Sequence, residues 1–168
     1  MKNYISYLFL IFIANTGLNA QNWTDTQIHP RNVILEEMTG IYCPACPAGH
    51  LVSHEIDSAN PSRIITIGIH SSDSYSKPHT GTNDPDFRTD WGSALYSMSS
   101  CGYLPSGMVN RTLFDSAQCG SSGGVPILGL SKGMTRGSWE ASSNEILADD
   151  SSGVNIGVRS LWDENTRN

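Results

Sequence analysis

No cluster of lysines and arginines occurs in the 168 residues, which carry 10 basic against 16 acidic side chains. That disfavours nucleic-acid binding, because neutralising phosphates needs a basic face. After the first twenty residues no apolar run approaches the roughly 20 residues a membrane helix requires, so no direct membrane span is expected. Position 21 is Gln rather than Cys, which removes the acceptor of a lipid-anchored bacterial export signal. There is also no internal repeat and no low-complexity tract.

What is present begins with compartment. Lys2 precedes an apolar run over 7–14 and then Leu18-Asn19-Ala20, the pattern of a secretory signal spanning 1–20 with a small residue at the cut. The 148 residues that follow hold nine basic and sixteen acidic side chains, a net of −7, and suffice for one domain with a proper core. They are expected to be soluble. All four cysteines, Cys43, Cys46, Cys101 and Cys119, lie in this exported part, where disulfides form and persist. Three full pairings are possible, and the sequence does not choose among them.

A polar lead-in segment (21–30) is followed by Val33-Ile34-Leu35, read as a buried strand continuing to about Met38. A helix is predicted over 44–58 and is ended by Asn60-Pro61. Arg63 to His70, apolar on both faces for most of its length, reads as an interior strand of a parallel sheet. A polar surface loop occupies 71–85. A second helix is predicted over 85–98, where Phe87, Trp91, Leu95 and Met98 recur at helical spacing. Met108 to Phe114 alternates as a half-buried strand, Val125 to Leu128 reads as an edge strand paired with it, and a third helix is expected over 137–147. The order is β-α-β-α-β-β-α. Val154 to Trp162 alternates cleanly as well, and is expected to begin a second, β-rich domain within 150–168 that the given sequence cuts short.

The stretch Tyr42-Cys43-Pro44-Ala45-Cys46-Pro47 stands at the first strand-to-helix junction. Uncapped amides and the helix dipole there stabilise a thiolate, so Cys43 is expected to have a lowered pKa and Cys46, one turn on, to close a disulfide with it. Pro47 deletes a donor, which predicts a distorted first turn. Three readings are open for the pair: a redox couple, a static staple or half of a metal site. Zinc is disfavoured because Cys101 and Cys119 lack a second close spacing. Those two are expected to form a structural disulfide, worth roughly 3 kcal/mol in the chain-entropy model, although Cys101, four residues before Pro105, also invites exchange with the CPAC pair.

Other residues carry weaker signals. His50 and His54 have a metal-chelating spacing but are expected to be solvent-exposed. His70 and His79 are no stronger. Asp84, Asp86 and Asp90 are expected to cap the second helix rather than bind calcium. Adjacent Glu36 and Glu37 must point to opposite faces of their strand. Asn22-Trp23-Thr24 and Asn110-Arg111-Thr112 match the glycosylation pattern, which means little if the source is bacterial.

Leu35-Glu36-Glu37-Met38-Thr39-Gly40-Ile41-Tyr42-Cys43-Pro44-Ala45-Cys46 resembles the active-site region of the thioredoxin superfamily. Glu37 matches the carboxylate six residues before the first cysteine, and Tyr42 the aromatic just before it. Pro105, in Cys101-Gly102-Tyr103-Leu104-Pro105-Ser106-Gly107, matches the family's cis-proline. Thr39-Gly40, Cys46-Pro47-Ala48-Gly49-His50, Asp86-Phe87-Arg88-Thr89 and the run from Gly102 to Arg111 together resemble the outer-membrane-protein-28 family, exported proteins of Bacteroides-type bacteria. That resemblance covers 31–111 and weakly beyond.

It implies a thioredoxin-like three-layer α/β domain over 31–149, located in the periplasm or at the outer membrane or cell surface, with a β-rich region after it. The expected function is thiol-disulfide oxidoreductase or isomerase chemistry on cysteine-containing envelope proteins, or with a thiol electron donor, requiring no dissociable cofactor. Cys43 would attack and Cys46 would resolve, while the resemblance implies that Glu37 manages the resolving proton and Pro105 positions the partner chain. The rival expectation is a binding or structural protein in which CPAC is a passive disulfide.

Overall fold

The computed structural model describes residues 27–71, 74–149, 151–154 and 156. One compact unit, Pro30–Asp150, carries the regular elements; the two ends of the chain form a separate unit. In the latter, the Ser152 backbone N–H donates to the His29 carbonyl at 2.8 Å. The expected signal at 1–20 and, apart from Val154 and Ile156, the expected strand over Val154 to Trp162 lie outside the described residues.

In chain order the elements are β1 (Val33–Thr39), α1 (Cys46–Ala59), β2 (Ile64–His70), α2 (Asp90–Ser99), β3 (Ser106–Val109), β4 (Gln118–Ser122), β5 (Val125–Leu128), β6 (Gly133–Thr135), a 3-10 turn (Arg136–Ser138) and α3 (Trp139–Leu147). The class is mixed α/β. A four-stranded mixed sheet has the order β2-β1-β3-β6, with β1 parallel to β2 and antiparallel to β3, and β3 antiparallel to β6; β4 and β5 form a separate two-stranded sheet.

Alternation along β1 explains the layering. Val33 and Leu35 project to one face and pack with Ile56 of α1, Ile64, Val109, Met134, and Trp139 and Ile146 of α3. Met38 projects to the other, where it meets Ile69, Met108 and, from α2, Leu95 and Tyr96. Each face of a central strand is thus covered by helix, which period-two alternation requires of a strand apolar on both sides. Trp139 is fully buried and lies across β3, where a Cβ at Gly107 would come within 2.8 Å of its ring. Its indole N–H donates to the Met134 carbonyl at 3.2 Å.

The structure corrects several sequence-based boundaries. β2 is the edge of the sheet rather than an interior strand, and Ile65 and Ile67 on it are exposed. Val125–Leu128 pairs with β4; the neighbour of β3 is instead β6, whose Gly-Met-Thr carries almost no apolar signal. β3 stops at Val109 because Asn110 and Arg111 turn left-handed, at φ 47° and 52°. The Asn110 side chain is engaged in the sheet, accepting from Ile34 N–H at 2.7 Å and donating to the Asn32 carbonyl at 3.1 Å. α2 begins at Asp90, capped by Thr89, whose hydroxyl accepts from Gly92 N–H at 2.9 Å. Of the expected apolar stripe only Leu95 packs inward. Phe87 and Trp91 are exposed beside an open groove of about 600 Å³ between α2 and β2.

Candidate active site

Two short turns link β1 to α1. The Cys43 N–H donates to the Gly40 carbonyl at 3.1 Å, and the Cys46 N–H donates to the Cys43 carbonyl at 3.3 Å. They bring the sulfurs together in a disulfide of 2.18 Å, across a Cα separation of 5.4 Å. The helix starts at Cys46, so Cys43 sits three residues ahead of it rather than inside its first turn. Pro47 then falls at the second helical position, where no intrahelical donor is needed, and the Cys43 carbonyl takes the Cys46 amide. The first turn of α1 has neither a side-chain cap nor an acidic residue. Its positive field is left unspent on the side of the cysteines, where a thiolate would be stabilised.

A strap from the loop over 74–84 holds this turn. Tyr42 N–H donates to the Tyr75 carbonyl at 2.9 Å, and Ser76 hydroxyl donates to the Thr39 carbonyl at 2.9 Å. Gly40 permits the approach, since a Cβ there would lie 2.8 Å from Tyr75 backbone atoms. The Tyr42 ring stacks on His79 with centroids 3.7 Å apart, and its hydroxyl donates to Asp84. Asp84 is held below the usual carboxylate range by hydrogen bonds from Thr82 and Tyr42. Asp86 instead pairs with Arg88 at 2.7 Å, which takes it down to about 2. Of the three aspartates expected to cap α2, only Asp90 lies in its first turn.

On β1, Glu37 is 1% exposed. His50 Nδ1 lies 3.1 Å from both of its oxygens. Oε2 also accepts from the Ser53 hydroxyl at 3.2 Å, whereas Oε1 has no hydrogen-bond partner. Burial pushes this carboxyl above its ordinary value, and His50 and Ser53 oppose the shift. A Cβ at Gly49 would stand 2.7 Å from Glu37 Oε1 and 2.9 Å from Pro105 Cβ. The bare backbone of Gly49, one turn after Cys46 on the same side of α1, therefore lets the carboxylate and the proline converge. The Leu104–Pro105 bond is cis, and a groove of about 450 Å³ runs past Ala45, Tyr103, Leu104, Pro105 and Arg136.

His50 is the site residue that the sequence reading missed. It was expected merely to be exposed; its side chain is 52% exposed yet bonded at both nitrogens, Nε2 lying 3.3 Å from Thr39 Oγ1. The signal was its place one turn beyond Cys46, on a helix that must cross the face of β1 carrying Glu37. The second disulfide joins Cys101 to Cys119 with a Cα separation of 5.5 Å, tying β4 to the segment after α2. All four cysteines are thus engaged.

The buried acid yields a prediction for the disulfide form. Because its folded pKa is raised, the folded state holds this proton more tightly than the unfolded state does. Its stabilising contribution is present below the unfolded pKa and is lost as pH rises through the folded one. Glu37→Gln is therefore expected to stabilise the protein near neutral pH, by on the order of 1 kcal/mol, with the gain vanishing in acid. Denaturant midpoints at about pH 3 and about pH 8 check this, those values lying on either side of the carboxylate range.

No family model, curated protein or solved structure matches this chain. Among the described residues no helix is long and apolar enough to cross a membrane.

Proposed function

We propose that this protein is an exported thiol-disulfide oxidoreductase or isomerase of the bacterial envelope, built on a thioredoxin-like domain and related to the outer-membrane-protein-28 family. The observation that carries the reading is the convergence of Glu37 and cis-Pro105 on Gly49, one turn after the Cys46 half of the Cys43–Cys46 disulfide in α1. In this reading Cys43 attacks a disulfide of a cysteine-containing envelope protein, and Cys46 resolves the mixed disulfide. Glu37 takes the resolving proton, and the backbone around Pro105 orients the partner's extended chain along the groove.

The second reading, a binding or structural protein with a static disulfide, draws support from burial: Cys43 is 6% and Cys46 1% exposed. Reduction potential separates the two. The oxidoreductase reading predicts a CPAC potential between roughly −270 and −120 mV, whereas a passive bridge falls below about −300 mV. Equilibration with glutathione buffers, scored by thiol trapping in a Cys101→Ser/Cys119→Ser background, gives the value. A result below the catalytic range would favour the static reading.

A further inference from the structure

We propose that His50 is a proton relay between the buried Glu37 carboxylate and solvent, so that the Glu37–His50 pair, rather than Glu37 alone, removes the resolving proton. The inference rests on the oxidoreductase reading and deepens it. Cys46 and Glu37 are each 1% exposed, so a proton taken from the one by the other is delivered into a site that water does not reach. His50 touches the carboxylate with Nδ1 at 3.1 Å, yet half of its side chain is in solvent. The other polar partner, Ser53, is buried and donates to both Glu37 and the His50 carbonyl, which leaves it no route outward.

The two carboxylate oxygens divide the work. Oε2 is hydrogen-bonded to His50 and Ser53, while Oε1, also 3.1 Å from His50 Nδ1, takes no hydrogen bond and lies 2.7 Å from where a Gly49 side chain would begin, on the side of α1 that carries Cys46. Starting from a mixed disulfide on Cys43, the Cys46 thiol gives its proton to Oε1. The resulting thiolate attacks Cys43 Sγ; the Cys43–Cys46 bond forms as the bond to the partner's sulfur breaks, and the electron pair leaves on that sulfur as a thiolate. Glu37 passes its proton to Nδ1 of His50, which starts with its proton on Nε2, and the imidazolium so formed releases the Nε2 proton to water. The dithiol is oxidised, the partner's disulfide is reduced, and the proton reaches the medium that protonates the departing thiolate.

The titratable groups around the carboxylate are few. α1 supplies His50 and Cys46. The turn before it supplies Cys43 and Tyr42, the latter bonded to Asp84. β2 supplies His70, which burial and the charge of His50 push down. β3, whose Gly107 faces Glu37 across the sheet, supplies none, and Glu140 and Glu145 of α3 are exposed.

The test compares native protein with His50→Ala and His50→Gln. Release of thiol from a small aromatic disulfide is followed across pH in the reduced proteins, and the Glu37 carboxyl is titrated by NMR in the disulfide forms. Both variants are expected to resolve about a hundredfold more slowly, the low end of a general-base contribution. They should also lose the histidine limb of the pH profile, and Glu37 should titrate at higher pH in His50→Ala. Imidazole in the buffer should restore much of the His50→Ala rate. A Gln variant with native rate and profile would reduce His50 to a hydrogen-bonding prop and overturn the relay, as would a Glu37 titration unchanged by His50→Ala. If native protein releases no thiol, the oxidoreductase reading fails and the relay with it, whereas native turnover with an unmoved Glu37 titration sinks the relay alone.

Discussion

On the oxidoreductase reading, replacing Cys46 by serine is expected to turn a fleeting intermediate into an isolable one: partner proteins joined to Cys43 by a disulfide, seen as adducts that collapse under reductant. The geometry supplies the reason. Cys43 lies in the turn ahead of α1, facing the uncapped first-turn amides, and Cys46 is the first helical residue, held against it through the Cys43 carbonyl. Serine at 46 keeps the backbone N–H that makes that hydrogen bond, and with it the turn, but its hydroxyl cannot displace the partner's sulfur. Turnover of a model disulfide should fall by at least about a thousandfold, as when a covalent catalyst loses a member of its reacting unit, while adducts accumulate. Cys43→Ser should lose both activity and adducts, because the attacking sulfur itself is gone. A Cys46→Ser protein that captures nothing in cells, while remaining folded, would leave the static-disulfide reading as the better one.

How far the sequence reveals this site depends on how local each determinant is. β1 and β2 are legible because Val-Ile-Leu and Ile-Ile-Thr-Ile are concentrated apolar runs, and the CPAC pair because four residues suffice to define it. The edge position of β2 is not legible, since a strand's neighbours are set by the whole topology and an apolar strand reads alike at an edge or in the interior. β6 is illegible for the opposite reason: Gly133, Met134 and Thr135 form a strand through backbone pairing to β3, with one apolar side chain to signal it. The start of α2 could have been found, because Thr89-Asp90 carries a capping residue and a first-turn acid, but the apolar spacing that begins at Phe87 pulls the boundary earlier.

The site divides along the same line. Cys43 and Cys46 are visible from their spacing, and Glu37 and Pro105 through the resemblance to the thioredoxin superfamily. His50 is not, because its importance depends on α1 lying across the face of β1 that carries Glu37, thirteen residues away in sequence. Glycine 49 is similarly silent until the fold brings Pro105 to it from a segment more than fifty residues on. Neighbourhoods assembled from distant segments leave no periodic trace in the chain.

Glu36, by contrast, points away from the site and solves burial differently, and its removal from balance should have a large thermodynamic effect. It is 4% exposed on the α2 face of β1. Its carboxylate receives Arg111 Nε at 3.1 and 2.9 Å and a terminal guanidinium nitrogen at 2.5 Å, a forked pairing that lysine cannot reproduce. Arg111 reaches it from a left-handed backbone, φ 52°, directly after Asn110 at 47°. Arg111→Ala would leave an acid buried without its counterion and is expected to cost about 2–3 kcal/mol. That is less than the roughly 3–5 kcal/mol of a fully buried pair, because half of the guanidinium is in water. Arg111→Gly should cost about 1 kcal/mol less than the alanine variant, glycine being free of the left-handed penalty. Glu36→Leu/Arg111→Met should recover most of the stability, since an apolar pair removes the desolvation cost on both sides. Urea midpoints across the four proteins measure this, and an Arg111→Ala loss within about 0.5 kcal/mol would place the pair among ordinary surface contacts. CPAC exchange in the same variants should stay near native below the unfolding transition, because the pair and the disulfide lie on opposite faces of β1.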